Sequence, residues 1–129
     1  MKKVTIEISD TGLLLENTSQ WFMHWLQNID REDALTVNST MSTLLENGDI
    51  WYVTDKLIND GAGFNMQIIF DSESALNTWE TDAKPIFEQM FTVAGEEVNI
   101  SNLDITFEDF ASLAAETEET SFSGLPSDF

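Results

Sequence analysis

The first residues of the chain alternate between apolar and polar side chains. Val4, Ile6 and Ile8 share one face of an extended segment, and polar residues fill the positions between them. This period of two predicts a half-buried strand, because successive side chains of a strand point to opposite faces. The turn-forming segment from Asp10 to Gly12 ends the strand.

Apolar residues at helical spacing follow in two groups. The first group begins after the capping residues Asn17 to Ser19 and comprises Trp21, Phe22, Trp25, Leu26 and Ile29. The second follows a charged break and comprises Ala34, Val37, Met41, Leu44 and Leu45. Each group forms one apolar stripe of a helix, and Asn47-Gly48 is a typical helix stop. A helical region is therefore predicted after the first strand.

A hairpin is predicted in the middle of the chain. The segment from Ile50 to Ile58 is rich in strand-forming residues, and Asp60-Gly61 is a typical tight-turn signal. The returning strand alternates again, and its apolar positions are Phe64, Met66, Ile68 and Phe70.

Helices and a last strand are predicted in the final third. Ser72 and its neighbours cap a helix with Ala75, Leu76, Trp79 and Ala83 on its apolar face. Pro85 ends that helix and opens a second one. Val98 and Ile100, extended by Ile105 and Phe107, predict a final strand or a pair of short strands.

The order of these elements predicts the fold class. Strand, helical region, strand, strand, helix and strand is the βαββαβ order of a ferredoxin-like α+β fold, with the helices on one face of an antiparallel sheet. We expect a single domain over residues 1–110 and an acidic, flexible C-terminal tail over residues 111–129. Small dimeric α/β-barrel proteins share this order, so a homodimer is compatible with the pattern.

Charge narrows the range of partners. The chain has 24 acidic and 5 basic residues, and no basic residue follows Lys84. The net charge of −19 disfavours direct binding to nucleic acid or to an anionic membrane, and it favours a basic protein surface. The apolar content of 42% still predicts a folded core. No apolar run is long enough to span a bilayer, so a cytoplasmic protein is expected, in the host cytoplasm if it is viral.

Candidate chemical groups give little support for catalysis. His24 is the single histidine, lies among aromatic residues, and has no nucleophile or carboxylate placed beside it by the sequence. Adjacent acids such as Glu96-Glu97 lie in polar segments, whereas a general acid needs an apolar pocket that raises its pKa. The chain has no cysteine, and Lys56 occupies the first position that a calcium loop around Gly61 would need. We therefore predict no catalytic residues, no cofactor and no metal site.

Three functional hypotheses remain. In size, lack of cysteine and charge, the chain resembles DNA-mimic proteins, including phage anti-restriction and anti-CRISPR factors. The resemblance implies a non-enzymatic inhibitor or modulator that binds a basic, nucleic-acid-binding protein surface. The candidate binding acids are Glu73, Glu80, Asp82, Asp104, Glu108 and Asp109. If Ile50, Tyr52 and Thr54 face the core, Trp51 and Val53 are exposed together on the other face of their strand. In that case Trp51 is a further candidate contact residue.

The alternatives belong to other classes. A structural or assembly component, such as a virion protein, would dock through isolated apolar residues of the acidic tail, namely Phe122, Leu125 and Phe129. A small enzyme or ligand binder on a dimeric ferredoxin-like scaffold is the third hypothesis.

Overall fold

A four-stranded antiparallel sheet organises the described part of the chain. The computed structural model describes residues 1–12, 14, 16, 17, 20, 28–93 and 97–116. The strands in this part are β1 (Lys2–Ile8), β2 (Ile50–Ile58), β3 (Gly63–Phe70) and β4 (Val98–Asp104). The helices are α1 (Arg31–Glu46), α2 (Glu73–Asp82), α3 (Lys84–Val93) and α4 (Phe107–Glu116). The predicted α+β class is therefore confirmed.

The strands lie in the order β2-β3-β1-β4, and each neighbouring pair is antiparallel. β2 and β3 form the predicted hairpin, which a short 3₁₀ helix over Asn59–Gly61 closes. Asn59, Asp60 and Gly61 have φ angles of 53°, 58° and 90°. Asn, Asp and Gly adopt this left-handed backbone most readily, which explains the turn at this sequence.

The main core lies between one face of the sheet and helices α1 to α3. Val4, Ile6 and Ile8 lie on this face, as their alternation predicts, and all three are buried. Four of the largest buried side chains form an aromatic row in which neighbouring ring centroids are 5.8, 6.0 and 6.2 Å apart. This row is Phe70, Trp79, Phe87 and Phe91. The row connects β3 to α2 and α3, and it anchors both helices to the sheet.

A β-bulge in β2 changes which of its residues are buried. Ile50 pairs with Phe70 and Tyr52 with Ile69, so Trp51 is the extra residue. Because of the bulge, Ile50 and Val53 both belong to the main core. The condition under which Trp51 and Val53 would be exposed together is therefore not met, since Val53 is fully buried, whereas Trp51 is 36% exposed.

Helix α4 packs against the opposite face of the sheet. Val53 faces the main core, so Tyr52 points to the other side, where its hydroxyl donates to the Leu113 carbonyl at 3.4 Å. The Phe110 ring contacts both Trp51 and Tyr52, at centroid distances of 5.3 and 6.4 Å. The expectation that all helices lie on one face is therefore wrong for α4.

The order of elements differs from the predicted one after β4. α2 and α3 together connect β3 to β4, and the second of these helices begins at Lys84-Pro85, as Pro85 predicts, whereas α4 follows β4 as an additional helix. The ferredoxin-like order is therefore not matched exactly. Phe107, predicted to extend the last strand, is the first residue of α4, because a capping interaction described below starts a helix there. The predicted stripe over residues 21–26 and His24 lie outside the described residues.

β4 is an edge strand that is poorly covered in its second half. Residues 101–104 are all exposed, and Leu103 on this stretch is 50% exposed. The strand contains no lysine and no proline, the residues that commonly protect sheet edges. The other edge, β2, has the bulge at Trp51 and carries Asp55 and Lys56.

Loss of the cap of α2 is expected to weaken the fold. Ser72 has an extended backbone and its hydroxyl accepts a hydrogen bond from the Ala75 amide at 3.2 Å. Ser72→Ala removes this acceptor, so the free energy of unfolding should fall by about 0.5–2 kcal/mol. Urea denaturation measures the change. Ser74→Ala, an exposed change inside the same first turn, is the control and should cause no loss; equal losses in both variants would contradict the capping role.

Candidate interaction surface

Acidic residues at the ends of three strands and at the starts of two helices lie at the end of the sheet where β1 begins. One row of paired residues crosses the sheet at this end, in the order Ile50, Phe70, Lys2 and Asp104. Asp49 and Asp71 lie one residue beyond the row, and the Asp71 amide donates to the Asp49 carbonyl at 2.8 Å. We call six residues at the ends of these strands and at the starts of α2 and α4 the acidic end: Asp49, Asp71, Glu73, Asp104, Glu108 and Asp109.

Lys2 lies among carboxylates of the acidic end. Its Nζ is 2.7 Å from Asp104 Oδ1, and the lysine side chain is 23% exposed against 81% for the aspartate. The hydrogen bond and charge of Lys2 lower the pKa of Asp104. The same hydrogen bond raises the pKa of Lys2, and the charges of Asp104 and Glu73 add to the effect. The structure therefore brings Glu73 and Asp104, two predicted binding acids, to one lysine.

Asp109 has a structural role at the start of α4. Its carboxylate accepts from the Thr106 amide at 3.0 Å, and its own amide donates to the Thr106 hydroxyl at 3.1 Å. This reciprocal arrangement is a capping box, in which the side chains at the helix start satisfy each other's backbone amides. The hydrogen bonds from Thr106 lower the pKa of Asp109, and the charge of Lys3 contributes to the same effect.

The capping role of Asp109 predicts how the stability of the fold changes with pH. Since folding lowers the pKa of Asp109 below its ordinary value of 3.8, its contribution to stability is present above that value. The contribution disappears as the pH falls through the lower folded-state pKa. We therefore expect Asp109→Asn to be less stable than the wild type at neutral pH and equally stable in strong acid. Chemical denaturation of both proteins across the acid range tests this, and a difference that persists in strong acid would contradict it.

Two predicted binding acids lie away from the acidic end. Glu80, in α2, lies 3.5 Å from Lys84 Nζ in a half-buried pair one helical turn apart. Asp82 is the last residue of α2 and lines a small cleft against α1. The predicted contacts Phe122, Leu125 and Phe129 fall outside the described residues.

Negative charge also occurs at the opposite end of the sheet. Glu7, Asp10 and Glu97 line an open cleft of about 430 Å³ where β1 ends and β4 begins. No group of three or more acids or histidines within the described ranges is arranged to hold a metal ion.

Aromatic side chains lie beside the acidic end. The rings of Trp51 and Phe107 are 6.2 Å apart and nearly perpendicular, and Phe110 lies against both. Phe107 is 64% exposed. We name the pair of exposed rings, Trp51 and Phe107, the aromatic pair. Trp51 was singled out from the sequence, whereas Phe107 was missed because it was assigned to a strand.

Asp49 and Asp71 were also missed. They flank the two strands of the hairpin, and only the pairing of that hairpin with β1 places them at the same end of the sheet as Lys2 and Asp104. A sequence signal was available, since each acid directly adjoins an apolar strand end.

The fold and this surface define a small acidic α+β domain. Neither a known protein-family model nor a curated protein matches the chain. In the part of the chain that the structure describes, no helix has both the length and the apolar character needed to cross a bilayer.

Proposed function

We propose that this protein is a non-enzymatic, DNA-mimic-like inhibitor or modulator, of the phage anti-defence type. In this proposal its acidic end binds a basic, nucleic-acid-binding surface of a partner protein in the cytoplasm. Carboxylates held by a rigid sheet stand in for phosphates, and the partner's lysine and arginine side chains bind them.

One observation carries the proposal: six acids from separate parts of the chain lie along one end of the sheet, with few basic residues to balance them. Lys2 and Lys3 are the lysines with an electrostatic effect on this group. The whole chain has 24 acidic and 5 basic residues, so 24 − 5 = 19 negative charges are not balanced by basic side chains. Such a surface attracts cationic groups over long distances and accelerates association with a basic protein.

The pKa shifts at the acidic end favour binding over acid catalysis. The pKa values of Asp104 and Asp109 are both lowered, so these carboxylates stay charged at neutral pH. A general acid would need the opposite shift. Negative charge at neutral pH is the property that a phosphate mimic requires.

A competition experiment tests the proposed function. The protein is immobilised, a nuclease-treated lysate is passed over it, and retained proteins are eluted either with duplex DNA or by raising NaCl from about 50 to about 500 mM. We expect basic nucleic-acid-binding proteins that both treatments release. Retained partners that resist salt and are not displaced by DNA would contradict the proposal.

Salt is expected to affect folding and binding in opposite directions. Screening reduces repulsion among the excess acids of the folded protein, so the melting temperature should rise between about 10 and about 300 mM NaCl. Binding to the basic partner should weaken over the same range. Scanning calorimetry measures the first effect; a melting temperature that falls with salt would contradict it.

We also propose that the fold is a variant of the ferredoxin-like arrangement. The central hairpin and the two helical connections, one before it and one after it, support this relationship. In this variant α2 and α3 replace a single helix, and α4 is an addition that covers part of the second sheet face. An experimentally determined structure that superposes poorly on ferredoxin-like domains would contradict it.

A further inference from the structure

The aromatic pair is an unusual feature for a surface dominated by carboxylates. Phe107 is 64% and Trp51 36% exposed, and their ring centroids are 6.2 Å apart. Phe110 contacts both rings, at centroid distances of 5.3 Å from Trp51 and 6.0 Å from Phe107, and these contacts restrict their movement. Rigid exposed rings of this kind are typical of binding surfaces, because little conformational entropy is lost when a partner contacts them.

Acidic residues flank the aromatic pair in sequence. Asp49 precedes Trp51 by two residues, and the exposed Glu108 directly follows Phe107 in the first turn of α4. An aromatic ring attracts a cation over its face, and a nearby carboxylate attracts the same cation by charge. The aromatic rings and the carboxylates therefore both favour a cationic ligand.

We infer that the aromatic pair, together with Glu108 and Asp49, is a docking site for arginine side chains of the basic partner. This inference rests on the proposed function and specifies the partner's chemistry. A guanidinium group is planar, stacks on aromatic rings and can bind a carboxylate through two hydrogen bonds at once. A lysine ammonium is compact and more strongly hydrated, so it gains less from the rings.

The charge of the chain argues against a second copy of this protein as the occupant of the site. A second copy would bring a further net charge of −19 to the site. A basic partner instead complements both the acids and the rings. The occupant is therefore an arginine-bearing segment of another protein.

Two peptides of equal length and charge, octa-arginine and octalysine, test the inference on the full-length protein. Fluorescence anisotropy at low salt gives both dissociation constants. We expect octa-arginine to bind about fivefold more tightly. In Phe107→Leu, which keeps an apolar side chain but removes a ring, this ratio should fall by about threefold, while octalysine affinity changes by less than about twofold.

Further variants test whether the aromatic rings cause the preference for arginine over lysine. Trp51→Leu should lower the same ratio, and its fold is checked by circular dichroism. Leu103→Ala, at another exposed apolar position, is the matched control and should leave the ratio unchanged. An unchanged ratio in both ring variants would overturn the inference while leaving the proposed function in place. Failure of the wild type to bind either peptide would instead contradict the proposed function.

Two other possible occupants of the aromatic pair, a second copy of the protein and its own C-terminal segment, predict different results. Sedimentation that shows a dimer in the wild type and a monomer in Phe107→Leu would assign the rings to a second copy and overturn the inference. A Phe122→Ala/Phe129→Ala double variant with markedly higher octa-arginine affinity would assign them to the chain's own C-terminal segment, with the same consequence. A monomeric wild type and an unchanged affinity in the double variant support the arginine site.

Discussion

Replacement of Trp79 by alanine is expected to lower the free energy of unfolding by about 3–5 kcal/mol. The side chain is fully buried, and its ring lies between Phe70 of β3 and Phe87 of α3, at 5.8 and 6.0 Å. Its removal leaves a cavity where α2 meets both neighbours. A domain of this size has about 5–15 kcal/mol of stability in total, so the variant should be close to unfolding at room temperature. Urea denaturation followed by circular dichroism measures the loss.

Trp79→Phe is the matched control. No hydrogen-bond partner for the indole Nε1 is found among the residues that the structure describes, so phenylalanine keeps a ring and removes a buried donor. We expect this variant to lose less than half as much stability as Trp79→Ala. Equal losses would show that the aromatic contacts are not the source of the effect.

Charge reversal at the acidic end is expected to reduce the affinity for a basic ligand by about tenfold or more. The double variant Glu73→Lys/Glu108→Lys changes two exposed residues, one at the start of α2 and one in the first turn of α4. Glu73 acts on the charge of Lys2, and Glu108 directly precedes Asp109, which the charge of Lys3 affects. Both changes therefore add positive charge to the acidic end, so the attraction for a cationic ligand is reduced where it is proposed to be strongest. Octalysine binding at low salt measures the effect.

The control for this experiment has the same net charge. Glu32→Lys/Glu88→Lys also changes two exposed acids and also gives −19 + 4 = −15, but at positions in α1 and α3. We expect it to lose much less affinity than the first variant. Similar losses in both would mean that total charge, and not the acidic end, determines binding. A melting curve for each variant confirms that the fold is intact.

The strands of the main core were predictable because their pattern is local. Val4, Ile6 and Ile8 alternate with polar residues, and Asp60-Gly61 defines the hairpin turn within a few residues. Burial of one sheet face follows directly from such a pattern. The helix cap at Ser72 was predictable for the same reason, since it depends on a residue three positions away.

The second face of the sheet could not be predicted in this way. The bulge at Trp51 shifts the alternation of β2 by one residue, and no feature of the strand sequence marks its position. The start of α4 depends on the Thr106 and Asp109 pair, whose short spacing fits either a turn or a helix cap. As a result, Phe107 was assigned to a strand and the aromatic pair was not recognised.

The candidate binding surface was predictable in its charge and only partly in its position. An excess of acids follows from composition, but the acidic end depends on pairing between residues about 100 positions apart, such as Lys2 and Asp104. Glu80 and Asp82 have similar sequence surroundings to Glu73, yet the length of α2 carries them away from that end.

Because the second half of β4 is an exposed sheet edge, the large negative charge also affects whether molecules of this protein associate with each other. An edge strand without lysine, proline or a bulge is a template for pairing with the same strand of another molecule. At neutral pH, electrostatic repulsion between molecules opposes that contact. Near the isoelectric point of about 4.1 the repulsion vanishes. The acidity that we assign to partner binding therefore also keeps this unguarded edge from nucleating self-assembly, and acidification removes that protection.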